Sequence, residues 1–342
     1  EVVYLFLYWG LFFWFFVSTL WSSAPEAAWK EDMFYIVVLL SILTLAGLSI
    51  SEDTAHKFLV YWLMGAGLVT LFVLIGILGA ETTREYRQVF KGGVRHTLAT
   101  PQGMALTVSF FYFINIPSKK AKAGFFLLCA WFVVGLGHCM SRGSLIFSMF
   151  SILVVLCLYM WHYPERFYGK IKHLGKYVLA AALLFSTLIF IALHIKWFAR
   201  HLARLANISL EWSKYRGGRL WEPAWEHIQE SPIWGHGLGM NSVYPQMSRL
   251  HYPHNLFLQV WLDGGIIAVL MLSGLLLWPL ILMIKGIKTD YHDPVLLALC
   301  AAFIFLILEF SKSYDFYAAI SLIVVSILSM KHLEQKTEGR KE

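Results

Sequence analysis

The sequence has few charged residues. Asp, Glu, Lys and Arg make up 14% of the 342 residues and apolar residues make up 58%, whereas a typical soluble domain has about 25% charged residues. A soluble chain with so few charges could not cover its own surface, and the same composition excludes intrinsic disorder. The formal charge of +7 does not indicate a nucleic-acid-binding protein, because no folded basic domain surrounds those charges. The composition therefore predicts a polytopic membrane protein.

Cysteine is also scarce. All four cysteines lie inside apolar runs, where a thiol behaves as a small hydrophobic group; they are Cys129, Cys139, Cys157 and Cys300. Their spacing matches neither a disulfide framework nor a zinc site. We therefore expect neither a structural disulfide nor a metal ion held by cysteine.

Long apolar runs are abundant, and a membrane span needs about 20 such residues. Ten runs are almost free of charge, at about 2–21, 33–51, 58–80, 98–117, 124–141, 144–161, 177–195, 264–284, 294–309 and 316–330. The sequence therefore predicts an all-α, polytopic transmembrane helical bundle with about ten spans. The first run has no basic start and no small-residue cleavage site, so we interpret it as a span and not as a signal peptide.

Short lysine-rich loops predict the orientation, because such loops stay in the cytoplasm. Lysines cluster at 118–123, 162–176 and 285–288 and in the tail after 330. The longest extramembrane segment is then on the opposite, outer side. We divide the chain into transmembrane helices 1–7 (1–197), a partly helical outer loop with the candidate site (198–254), C-terminal transmembrane helices (255–330) and a cytoplasmic tail (331–342).

The predicted outer side is rich in arginine. It carries nine arginines and five lysines, whereas the cytoplasmic side carries two arginines and twelve lysines. Arg216 and Arg219 flank two glycines in the outer loop, and Arg142 interrupts two apolar runs at the outer end of the membrane. A guanidinium group binds phosphate oxygens through two parallel N–H bonds. The alternative is that each of these arginines only reaches out to lipid headgroups.

A helix and a glycine turn follow these outer-loop arginines. Pro223 suits the first turn of a helix, and Trp221, Trp225 and Ile228 would share one face of it. We predict that this helix ends before Ser231-Pro232 and that a flexible turn follows at 235–239. The turn is not a P-loop, since the Gly-Lys-Ser/Thr ending is absent.

Two histidines precede the next apolar run. His254 and Asn255 stand directly before it, at the predicted membrane boundary, and His251 lies three residues earlier. A histidine there can be neutral at physiological pH and accept a proton. The alternative is an interfacial histidine that only hydrogen-bonds to the backbone. A zinc site at His251 and His254 lacks a third ligand nearby.

Several catalytic motifs are missing from the sequence. The outer side has no Asp-x-Asp, and the chain has neither Gly-x-Ser-x-Gly nor His-Glu-x-x-His.

Four segments of the chain carry a different pattern: RGGRLWEPAWEHIQESPIWGHGLG, HYPHNLFLQVWLDGGIIAVL, SRGS at 141–144 and LWSSAPEAAW at 20–29. Together they resemble the O-antigen ligase/polymerase superfamily of bacterial envelope glycosyltransferases. One departure is Ala268, where the family has its second glycine after Gly265.

This resemblance implies a fold of about twelve helices with a large periplasmic loop, in the bacterial inner membrane. Two further N-terminal helices would reconcile ten spans with twelve. The implied reaction is the transfer of O-antigen glycan from undecaprenyl diphosphate to a sugar hydroxyl of lipid A-core, without a metal or cofactor. The partners would be the lipid-linked donor, the lipid A-core acceptor and membrane lipids, and no nucleic acid.

The resemblance also implies roles for single residues. Arg142 and Arg219 would hold the diphosphate, and His254 would activate the acceptor hydroxyl. Arg216, His251, Asn255 and Trp221 are the further candidates for substrate binding. Three alternatives remain open at this stage: an O-antigen polymerase, a protein O-oligosaccharyltransferase, and a transporter or flippase of lipid-linked glycans. A transporter usually has ionisable groups near the middle of the membrane, whereas here they cluster at its outer edge.

Overall fold

All regular structure in the described part of the chain is helical. The computed structural model describes residues 2–47, 53–75, 93–139, 141–164, 220–240, 253–290, 293–313 and 320–338. The helices are α1 (Val2–Ser18), which a 3-10 turn (Thr19–Trp21) follows, α2 (Pro25–Gly47), α3 (Thr54–Leu74), α4 (Gly93–Asn115), α5 (Lys119–His138), α6 (Arg142–His162), α7 (Glu222–Glu230), α8 (Leu256–Thr289), α9 (Pro294–Ser313) and α10 (Ile320–Glu338). The prediction of an all-α, polytopic helical protein is confirmed.

Nine of the ten predicted spans fall on these helices, and the run at 177–195 lies outside the described residues. Within the described segments, five helices are long and apolar enough to cross a membrane: α3, α5, α6, α8 and α9. The largest differences from the predicted boundaries are at α2, α8 and α10. Helix α2 begins already at Pro25, before the predicted run at 33–51. Helix α8 begins already at Leu256, because Asp263 interrupts the apolar run without ending the helix, and α10 extends to Glu338, into the predicted tail.

The chain forms two compact units. The first comprises Glu1–Tyr61, Lys214–Gly286 and Ala302–Glu342, and the second comprises Trp62–Ser213 and Ile287–Ala301. In the first unit α1 packs closely on α8, since a Cβ added at Gly274 would lie 3.4 Å from Leu7. The Tyr4 hydroxyl of α1 also hydrogen-bonds to Ser326 of α10. One face of the N-terminal helix is therefore packed against the other helices of this unit.

In the second unit, small polar side chains let α6 approach α4. Three serines of α6 are buried, at Ser144, Ser148 and Ser151, and so is Ser141 directly before the helix. The Ser148 hydroxyl lies 3.2 Å from the carbonyl oxygen of Gly103 in α4 and donates to it. Small residues of this kind are typical of closely packed helices in membranes. This packing fixes the start of α6, where Arg142 is the first helical residue.

Candidate functional site

Helix α7 forms where the sequence predicts it. It spans Glu222–Glu230 with a proline in its first turn, and the prediction that it ends before Ser231 is confirmed. Its buried face consists of Leu220, Ala224 and Ile228. Of the three residues predicted to share one face, Ile228 is buried and Trp225 is 43% exposed, so that face is only partly buried. The Trp225 ring packs edge-on against Trp261 of α8, with centroids 5.4 Å apart, and so lies at the border of the buried face.

A small hydrophobic core joins α7 to the first part of α8. Ile228, Met240 and Leu262 are buried together, and Leu258 and Trp261 pack against them. The glutamates of α7 are exposed on the other side of the helix, at Glu222, Glu226 and Glu230. The outer loop is therefore folded onto α8 at this point.

The glycine turn at 235–239 is buried. Gly235, Gly237 and Gly239 have φ of 71°, 84° and 85°, which L side chains rarely adopt. A Cβ added at these positions would lie 2.5 Å from the backbone nitrogen of Gly265, 2.6 Å from the carbonyl oxygen of Ser18 and 2.6 Å from the backbone nitrogen of Ala28, respectively. We expected a flexible turn, but its backbone is closely packed against three helical segments, and the glycines make this packing possible.

Helix α8 is broken at Gly265, and the glycine turn fills the break. Gly265 has φ 69° and ψ −170°, which no helix contains. In an intact helix the Ile266 N–H would donate to the Leu262 carbonyl oxygen. Three backbone hydrogen bonds to the turn and to Pro232 just before it are formed instead: Ile266 N–H to Pro232 O (2.9 Å), His236 N–H to Leu262 O (2.8 Å) and Gly237 N–H to Asp263 O (2.9 Å). The turn thus satisfies buried backbone groups that the break would otherwise leave without partners.

His236 is a residue of this region that we did not single out from the sequence. Its ring Nε2 donates a hydrogen bond to the carbonyl oxygen of His227, at 2.6 Å, and so caps the last turn of α7. The His227 ring Nδ1 in turn lies 3.2 Å from Glu230 Oε2. The signal for His236 in the sequence is its position between two glycines, where a side chain can turn back onto the preceding helix.

His254 has a left-handed backbone conformation. Its φ is 52°, the one positive value outside glycine within the described residues. Contacts on both sides hold it. The Trp221 indole N–H donates to the carbonyl oxygen of Pro253 at 3.1 Å. The side-chain oxygen of Asn255 accepts from the backbone N–H groups of Phe257 (3.0 Å) and Leu258 (3.2 Å) and so caps α8.

The comparisons with known proteins concern this part of the chain. Residues 124–273 match the family model described as O-antigen ligase. The resemblance seen in the sequence is confirmed. The match indicates a glycosyltransferase-like enzyme of the ligase or polymerase type, which implies lipid-linked glycan substrates in a membrane. None of the curated proteins matches the chain.

One solved structure is similar over nearly the whole length. Its title is "Structural coordination of polymerization and crosslinking by a peptidoglycan synthase complex". The match has 15% identity and a TM-score of 0.46, and covers 97% of this chain and 96% of that chain. At this score and identity we draw no argument from it.

The segment that matches the O-antigen ligase family contains all the predicted site residues, from Arg142 to Asn255. The structure brings Trp221 and the His254 region together through the bond to Pro253. For Trp221 and Asn255 it shows contacts that shape the fold, and their part in substrate binding stays a prediction. Arg216, Arg219 and His251, and the side chain of Arg142, lie outside the described residues.

Proposed function

We propose that this protein transfers O-antigen glycan from undecaprenyl diphosphate to a sugar hydroxyl of lipid A-core during lipopolysaccharide assembly. The enzyme would lie in the bacterial inner membrane with its active site towards the periplasm. The observation that carries this proposal is His254, which lies inside the segment matching the O-antigen ligase family and is held in a left-handed conformation at the start of α8.

His254 suits the role of general base. The acceptor hydroxyl must lose a proton as it attacks, and imidazole can take that proton near neutral pH. A left-handed conformation costs a residue other than glycine about 1–3 kcal/mol. Such strain persists where the surroundings enforce it, here through Trp221 and Asn255. A held backbone at His254 limits the positions that its imidazole can take, which favours proton transfer from a positioned hydroxyl.

Arg142 suits the role of a diphosphate ligand. It is the first residue of α6, where the helix dipole is positive and favours a bound anion. A cation there loses about 0.3–1 kcal/mol unless an anion is close. A bound diphosphate would reverse this unfavourable interaction. We assign Arg219 to the same leaving group, with Arg216 as a further contact.

The proposed reaction is a single displacement. The acceptor oxygen bonds to the anomeric carbon of the glycan as the bond from that carbon to the diphosphate oxygen breaks, so the configuration inverts. Undecaprenyl diphosphate leaves with the bonding electrons, and the hydroxyl proton goes to His254. The arginines stabilise the negative charge that develops on the diphosphate.

Analysis of envelope polysaccharide tests the acceptor assignment. We expect a deletion strain to carry only uncapped lipid A-core, and the wild-type gene to restore capping. If the deletion strain instead carries core capped with a single repeat, the protein is a polymerase and the acceptor assignment is wrong.

Each arginine is expected to contribute strongly to the transition state. If each contact is worth about 2.7–4 kcal/mol, Arg142→Gln and Arg219→Gln should slow transfer by roughly 10²–10³-fold and weaken donor binding. Arg219→Lys should also lose much activity, since lysine lacks the planar fork. Transfer and donor binding are measured separately with purified protein in detergent. Unchanged donor affinity in both glutamine variants would contradict the diphosphate assignment, and Lys285→Gln, on the predicted cytoplasmic side, is the control.

Transfer should not depend on a divalent cation. With arginines stabilising the leaving group, activity of the purified protein is expected to persist in excess chelator. The measurement compares initial rates with chelator alone and after magnesium or manganese is added back. A strict requirement for either metal would contradict the arginine mechanism.

The outer loop should face the periplasm. We expect a cysteine at Ser213 to react with an impermeant thiol reagent in intact spheroplasts, and a cysteine at Ser118 to react only after lysis. We expect this because lysines directly follow Ser118 in a short loop, and short basic loops stay in the cytoplasm. The opposite labelling pattern would invert the topology and remove His254 from the periplasmic side.

A further inference from the structure

One face of α1 and the 3-10 turn after it is apolar and exposed from Phe6 to Leu20. The exposed residues are spaced by three and four positions, as one face of a helix requires: Phe6, Trp9, Phe13, Phe16 and Leu20. Helix α1 contains no charged residue. In a membrane protein such a face is turned towards lipid.

Three tryptophans lie where this face ends. The Trp14 ring stacks on Trp234 with centroids 5.6 Å apart, and Trp21 lies edge-on to both, at 5.7 Å and 6.5 Å. Trp21 and Trp14 belong to the N-terminal segment, whereas Trp234 and its neighbour Ile233 come from the outer loop. Ile233 and Trp234 are 53% and 56% exposed although they belong to a segment predicted to lie outside the membrane.

We propose that Trp21, Ile233 and Trp234 form an interfacial anchor that inserts into the boundary between lipid headgroups and acyl chains. The exposed apolar face of α1 leads directly to these three residues, which places them at the level where the span ends. Tryptophan is enriched at that level of the bilayer because its ring is apolar and its N–H is polar. The occupant of this surface is therefore the bilayer, and the outer loop touches it at Ile233 and Trp234.

The anchor fixes the depth of the broken helix. Pro232 and His236, on either side of Ile233 and Trp234, form the backbone hydrogen bonds that replace those lost at Gly265. In addition, the Trp14 indole N–H donates to the Gly264 carbonyl oxygen at 2.7 Å. The break in α8 is therefore tied to a side-chain cluster whose position is set by lipid.

Spin labels test the anchor by their accessibility. Single cysteines at Ile233 and Trp234 are labelled in a background without Cys129 and Cys157, the two native cysteines that are not buried. The protein is reconstituted in vesicles of phosphatidylethanolamine and phosphatidylglycerol. We expect both labels to be reached preferentially by oxygen, and several-fold less by a water-soluble nickel complex than a label at Gln229, which is exposed on α7. A label at Phe13 gives the value for the acyl region.

Two results would overturn the anchor. The first is that the nickel complex reaches the labels at Ile233 and Trp234 as readily as the label at Gln229, which would show that the loop stays in water. Labels that are aqueous in plain vesicles but shielded by added O-antigen oligosaccharide would make this a glycan-binding surface. The Ile233 label leaves the Trp14–Trp234 stacking in place. Its accessibility therefore still tests the anchor if replacing Trp234 disturbs the turn. Transfer activity is not part of the readout, which makes the outcome independent of the proposed function.

Discussion

Replacing His254 with alanine is expected to abolish glycan transfer while leaving binding of the lipid-linked donor nearly intact. The imidazole takes the proton of the acceptor hydroxyl, and no other described histidine of the outer loop is placed for this. His227 and His236 are engaged with each other at the end of α7. Donor binding depends on the arginines and should survive. The measurement is transfer and donor affinity, determined separately with purified protein in detergent.

The left-handed backbone at His254 requires a second variant. His254→Asn keeps a residue that tolerates positive φ but has no basic side chain. We expect it to be as inactive as His254→Ala and to be folded like the wild type. His227→Ala, a histidine substitution in the same loop, should retain transfer. Full transfer by His254→Asn would show that the backbone conformation matters and the imidazole does not, and the proposed base would be wrong.

The sequence predicts much of the fold because membrane spans depend on local composition. An apolar run long enough to cross the bilayer has to be helical, since its backbone groups find no partners in lipid. Helix α7 is predicted for a similar reason: Pro223 suits its start and Ser231-Pro232 its end. In both cases a few neighbouring residues are enough to predict the helix, without knowledge of the tertiary structure.

The break in α8 shows where such local reasoning ends. Gly264 and Gly265 follow Asp263 at the start of the predicted apolar run, and no local pattern there predicts a break inside the helix. The break is stable because Pro232 and His236 supply its hydrogen bonds. That pairing depends on tertiary structure. The same holds for His254: its position before a helix is predicted, but its left-handed conformation is held in part by Trp221, which is distant in the sequence.

Replacing Gly265 with alanine is expected to destabilise the protein more than any other single methyl addition in α8. A Cβ there would lie 2.0 Å from the carbonyl oxygen of Ile233, and the backbone has a conformation that only glycine adopts readily. This carbonyl oxygen belongs to the backbone and not to a flexible side chain, so the turn would have to move out of the break in α8. We expect a loss of about 3 kcal/mol or more, from backbone strain and overpacking together.

Gly274→Ala in the same helix is the matched control. Its Cβ would lie 3.4 Å from the end of the Leu7 side chain, which can move, and its backbone is helical. The measurement is the temperature at which each variant loses its monodisperse state in detergent, together with the transfer rate at a lower temperature. We expect Gly274→Ala to resemble the wild type, and Gly265→Ala to melt earlier and to lose transfer, because the turn and the segment with His254 are joined through this break. Equal melting temperatures of the two variants would show that the turn does not hold the break.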